Sequence, residues 1–203
     1  MPTPSQYPVT RKTALSLAAL GAVGLLSACS SSGKDSLAAQ ADAGDSKGYI
    51  AGDGSVTEYA AAERGEPVEF ENELFDGTVV TAAELRGKPV LLNFWYAGCA
   101  PCRTEAPWLN ELHQTFGEKV AFYGANVRDE KGTAEAFEKN FEVPYPSFRD
   151  LNGKILLAMS KYVPAQAVPT TVILDAEGRV AARILGQIDQ SVVRTLLEDQ
   201  VSA

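Results

Sequence analysis

The stretch Phe94-Trp95-Tyr96-Ala97-Gly98-Cys99-Ala100-Pro101-Cys102-Arg103-Thr104-Glu105-Ala106-Pro107 decides how this chain is read. Its two cysteines stand directly after an apolar run, Val90-Leu91-Leu92-Asn93-Phe94-Trp95, and directly before a helical pattern. The run has strand length and is nearly continuous, as expected of a parallel strand covered on both faces. Trp108, Leu109, Leu112 and Phe116 then recur at helical spacing over residues 100–116, with Pro107 placed to kink that helix. A thiol at a helix start faces unpaired N–H groups and the positive end of the helix dipole, both of which favour thiolate. Cys99 is expected there. Cys102 follows one turn on and on the same side, close enough to attack a mixed disulfide formed at Cys99. Pro101 sacrifices only a donor that the first turn leaves unpaired.

The chain has three cysteines, Cys29, Cys99 and Cys102, and one histidine, His113. A structural zinc site normally takes four Cys or His ligands from two short-spaced pairs, and the region around Cys99 offers fewer. A structural disulfide over so small a loop removes little entropy from the unfolded chain. Copper(I) suits paired thiolates, so a non-enzymatic copper-binding or chaperone role stays open beside the redox reading.

Upstream of the cysteines, Val68-Glu69-Phe70, the turn signal Asp76-Gly77 and Thr78-Val79-Val80 predict an N-terminal β-hairpin, with Thr81 capping a short helical turn through Leu85. Downstream, residues 120–126 form a second buried-type strand. Thr133 opens a helix carrying Ala136, Phe137 and Phe141, which ends before Val143-Pro144. Asn152-Gly153 turns into a short helix over 155–162. Thr170 to Leu174 and Arg179 to Ile184 make a late hairpin, and a last helix covers 189–201. Alternating strands and helices with a terminal hairpin predict an α/β class with a mixed central sheet flanked by helices.

The first residues carry an address. Arg11 and Lys12 precede the apolar run Ala14 to Ala28, which has secretory-signal form and is too short to span a bilayer. It ends in Leu26-Ser27-Ala28-Cys29, which resembles the lipobox of bacterial lipoproteins and implies a lipidated Cys29 as the first mature residue. Residues 1–28 are thus read as a lipoprotein signal peptide. Residues 29–65, rich in Ser, Gly, Ala and Asp, read as a flexible linker whose Tyr49, Ile50, Val56 and Tyr59 can pack locally. Residues 66–203 are the folded domain. Net charge is −8 with 45% hydrophobic residues, so the chain is globular and acidic, and a phosphate backbone is excluded as a partner.

The cysteine stretch, followed some 60 residues later by Ala167-Val168-Pro169-Thr170-Thr171 and Asp175-Ala176-Glu177-Gly178, resembles the thioredoxin fold. More narrowly, it is similar to the membrane-tethered TlpA/ResA-like thiol-disulfide oxidoreductases over about residues 66–200. The resemblance implies a redox-active disulfide between Cys99, an exposed nucleophile, and Cys102, a more buried resolving thiol. It implies a cis Pro169 facing them, with the Val168 backbone offering an edge to an extended substrate. Glu105 falls where relatives place a partly buried acid that moves protons as the thiols cycle. Asn93 stands where thioredoxin itself carries a buried aspartate. Gly98 departs from the tryptophan that relatives carry before the first cysteine, which implies a smaller and more flexible platform. Phe94 and Trp95 are expected in the core and His113 on the surface.

By the same resemblance the chain reduces disulfides of exported proteins, apocytochrome c cysteines foremost. A membrane thiol carrier supplies the electrons and no cofactor is needed. It sits lipid-anchored on the extracytoplasmic face of the cell membrane. The same chemistry run backwards, inserting disulfides into secreted proteins, is the alternative. A thiol peroxidase of this fold carries a Pro-Thr-x-x-Cys motif, and Tyr96-Ala97-Gly98-Cys99 stands in its place.

Overall fold

In a computed structural model the described residues are 52–203. Cys29, the signal peptide and most of the linker lie outside them. The elements in chain order are β1 (Ser55–Glu58), β2 (Glu71–Glu73), β3 (Val79–Thr81), a 3-10 turn (Ala82–Leu85), β4 (Val90–Trp95), α1 (Ala100–Phe116), β5 (Ala121–Asn126), α2 (Lys131–Asn140), β6 (Ser147–Arg149), α3 (Lys154–Ala158), β7 (Thr170–Leu174), β8 (Val180–Leu185) and α4 (Gln190–Ser202). Six strands form one sheet in the order β1-β8-β7-β4-β5-β6, while β2 and β3 pair separately. β4, β5 and β6 run parallel; β7, β8 and β1 add antiparallel pairings. The sheet is mixed, as the alternation of elements predicts.

β4 is central and buried along its whole length. Alternate residues point to opposite faces of a strand. Val90, Leu92 and Phe94 therefore join a core with Phe148, Ile155, Met159 and Val172 on one face. Leu91 meets Leu109 and Leu112 of α1, Ile173, and Val193 and Leu197 of α4 on the other. Trp95 points to that second side and packs on Phe137 of α2, with ring centroids 4.5 Å apart. Gly124 of β5 makes this possible. A Cβ there would collide with Ser147 Oγ and Trp95 Nε1, which are joined by a 3.2 Å hydrogen bond.

Several expected boundaries shift. The hairpin strand begins at Glu71, not Val68, because Val68 N–H donates to Gly178 O and is held by the β7–β8 turn. The turn at Asp76-Gly77 sets the pairing Glu73↔Val79 and Glu71↔Thr81. α1 runs unbroken through Pro107. The helix expected to open at Thr133 starts at Lys131, and the one expected over 155–162 covers only 154–158. The linker expectation is corrected at its C-terminal end. Ser55–Glu58 pair with β8, Tyr59 N–H donates to Ala181 O, and Arg64 bonds Asp175 at 2.9 Å. Tyr59 packs edge-on against Tyr162, whereas Val56 stays exposed.

Candidate active site

Cys99 is the N-cap of α1, with extended backbone (φ −78°, ψ 111°). Pro101 sits in the first turn, where its missing N–H leaves no bond unmade. The Cys102 N–H donates to Cys99 Sγ at 3.2 Å, so the sulfur takes up one of the donors that a helix start leaves free. Cys99 and Cys102 form a disulfide with Cα atoms 5.3 Å apart. The one-turn spacing delivers the geometry expected from the sequence.

Exposure does not follow expectation. Cys99 is 0% exposed and Cys102 3%, so Cys99 is not the open member of the pair in the disulfide form. Bonded to Cys102 and accepting its N–H, Cys99 Sγ is turned onto the helix. There it joins one apolar cluster with Phe75, Trp95, Tyr96, Phe137 and Val168. The Val168–Pro169 bond is cis, and Val168 belongs to the same cluster.

Glu105 lies on the buried face of α1, one turn beyond Cys102, and is wholly buried rather than partly so. Asn93 Nδ2 donates to its Oε1 at 2.9 Å and Ile188 N–H to its Oε2 at 3.0 Å. Burial outweighs these two donors and raises the carboxyl pKa from 4.5 to about 8. Asn93 also donates to Thr171 Oγ1, which links the acid to β7. Tyr145 is buried nearby; desolvation first, and the Glu105 charge second, push its phenol pKa upward. Asn93, Trp95, Cys102 and Tyr145 border a void of about 10 Å³, close to the least space that holds one water.

The loop ahead of Cys99 is held from a direction the sequence did not disclose. Asp129, after β5, accepts the Ala97 N–H at 2.6 Å and Asn126 Nδ2 at 2.9 Å. Arg128 lies over the Tyr96 ring, 4.3 Å from its centroid. Gly98 does leave room, but Tyr96 takes it up, since a Cβ at position 98 would stand 3.1 Å from Tyr96 Cε2. Phe94 and Trp95 are core residues as expected. His113 is corrected from surface to half-buried, with its ring 5.2 Å from Phe122 and 5.7 Å from Tyr145.

The sequence profile of the AhpC/TSA family matches residues 65–183. Among curated proteins, the chain is 35% identical over 125 residues to the thiol:disulfide interchange protein DsbE of Pseudomonas fluorescens biotype C, covering 61% of this chain and 66% of that protein. It is 30% identical over 113 residues to the thiol-disulfide oxidoreductase ResA of Bacillus cereus, covering 55% and 63%. The matched stretch thus spans just under two thirds of these relatives' own lengths. Among solved structures, a DsbF homologue from Corynebacterium diphtheriae superposes with a TM-score of 0.64 at 33% identity, covering 71% of this chain and 92% of that one. A secreted thiol-disulfide isomerase from Corynebacterium glutamicum gives 0.66 at 27% identity, covering 74% and 95%. The thioredoxin-like fold expected from the cysteine stretch is the fold found.

Proposed function

Because the chain belongs to the AhpC/TSA family, we propose that it is a thiol-disulfide oxidoreductase that passes two electrons from a Cys99–Cys102 dithiol to disulfides of exported proteins. The observation that carries this reading is the disulfide itself, built across the first turn of a helix whose N–H already bonds the leading sulfur. A thiolate in that position is favoured by the same donor. The similarity to proteins named for thiol:disulfide interchange supports the same chemistry.

In the reduced chain the Cys99 thiolate attacks one sulfur of a client disulfide. The client S–S bond breaks, its departing thiolate takes up a proton, and a mixed disulfide joins Cys99 to the client. Cys102 loses its proton and attacks Cys99 Sγ, which re-forms the internal disulfide and releases the second client thiol. Two electrons have moved from chain to client. Glu105, one turn from Cys102, is assigned to take the Cys102 proton in this step through its ionised form, whose share grows as pH approaches its raised pKa of about 8. Val168 and cis Pro169 are assigned to receive the client backbone beside the disulfide. A membrane thiol carrier then reduces the chain, and apocytochrome c is the proposed client class. Lipidated Cys29 anchors the protein to the extracytoplasmic face of the membrane.

The bonded cysteine pair supports exchange over a thiol peroxidase, whose single active cysteine stands in a different motif. Trapping with Cys102→Ala in the native cell tests the proposal. Mixed disulfides to exported proteins through Cys99 are expected. Equilibration of the purified chain with glutathione fixes direction: a potential well above that of typical reductants assigns the oxidant role instead. Copper bound without thiol exchange removes the enzyme reading altogether.

A further inference from the structure

We propose that the cleft beside the disulfide is a client subsite that selects a carboxylate side chain near the client's reacting cysteine. The inference rests on the exchange reading above and adds which polypeptides the site prefers.

The cleft is open, about 400 Å³, and lies between the start of α1 and α2. That volume falls within the range of roughly 300–1,000 Å³ typical of ligand sites. Ala97, two residues before Cys99, and Arg103, one residue after Cys102, border it on the α1 side. Thr133, Phe137, Asn140 and Phe141 border it on the α2 side. Phe137 packs on both Trp95 and Phe141 with centroids 4.5 Å away in each case, so the apolar part is braced by the core. Chain length alone keeps Ala97 Cα within about 8 Å of Cys99 Cα. A client extended across the disulfide advances about 3.3 Å per residue, which brings a residue one to three positions from its cysteine over the cleft.

The cleft's charge sets what that residue is. Arg103 is exposed yet held in place: Nη1 donates to Ala97 O at 3.3 Å, and the guanidinium lies 5.4 Å from the Phe141 ring centroid. Among the described residues no carboxylate pairs with Arg103. Of the acids in the surrounding segments, Glu130 pairs with Arg149 and Glu135 with Lys131, Asp129 is held on the Ala97 N–H and the Asn126 amide, and Glu142 forms no ion pair among the described residues. The chain carries 26 acidic against 18 basic side chains, so an oriented cation with no ion-pair partner among the described residues stands out at the mouth of the site. Its remaining N–H donors suit a carboxylate, and the ring stack beneath suits that side chain's methylenes.

Net charge and subsite predict opposite preferences, which makes the test decisive. Three series of peptide disulfides, alike except for Glu, Gln or Lys at each of the three positions flanking the reacting cysteine, are reduced by the dithiol form of the full chain. Each rate is divided by that with dithiothreitol, which cancels the peptide's own reactivity. At one position or more, kcat/KM falls in the order Glu, Gln, Lys, with Glu ahead of Lys by about threefold to fivefold, the scale of one exposed ion pair. Arg103→Glu reverses that order. Equal rates, a Lys preference in the unaltered chain, or a Glu preference that survives Arg103→Glu overturns the subsite alone. No exchange with any peptide overturns the exchange reading and the subsite together.

Discussion

Glu105 is neutral in the folded protein below about pH 8, because burial disfavours the charged form more than Ile188 N–H and the Asn93 amide favour it. In the unfolded chain the same carboxyl titrates near 4.5. Between these values the folded state holds a proton that the unfolded state has lost, so stability falls as pH rises. Each unit in that window removes about 1.4 kcal/mol, and the fall levels off above the folded pKa. Denaturant unfolding at pH 5, 6, 7 and 8 should show this slope, and Glu105→Gln should flatten it. Asp129→Ala leaves the half-buried Ala97 N–H and the buried Asn126 amide without their acceptor and should destabilise the protein by about 1–3 kcal/mol, measured the same way. The two residues differ in how far the sequence disclosed them. Glu105 is marked by its spacing from Cys102, although its full burial depends on Asn93 and Ile188 arriving from distant elements. Asp129 carries no such mark, since its chief partner is a backbone N–H 32 positions away.

Elements whose sequence records their environment are legible from it. The run Val90–Trp95 is apolar because both its faces are covered, and Ala100–Phe116 repeats buried residues at helical spacing. β1 records nothing of the kind. Ser-Val-Thr-Glu is short and mostly exposed, and the partner that makes it a strand, β8, lies more than 120 residues later. The sequence boundary at residue 66 therefore cuts the domain. A chain starting at residue 66 loses the β1 pairing, the Tyr59–Tyr162 contact and the part-buried Arg64–Asp175 pair. It should be less stable than one starting at residue 52 by at least about 2 kcal/mol in urea unfolding. Equal midpoints and slopes for the two would show that the segment adds nothing.

Across the molecule, a mixed sheet buries apolar residues on both faces and leaves the disulfide where β4 passes into α1. The order of strands and helices was legible because parallel pairing needs crossover helices. The covering of Cys99 was not, because Phe75, Phe137 and Val168, which share its apolar cluster, arrive from distant parts of the chain. The lipid-anchor reading is tested on the complete chain: Cys29→Ser made in a bacterial host should leave the membrane fraction and lose the acyl mass. Membrane retention without that cysteine would remove the anchor assignment. The account as a whole depends on a readily ionised Cys99 at the start of α1. Alkylation of the reduced chain with iodoacetamide across pH, with the modified residue identified by mass, measures this directly. Modification is predicted first at Cys99, with a midpoint below the value of about 8.5 for free cysteine. A midpoint at or above that value, or equal reaction of Cys99 and Cys102, would contradict it.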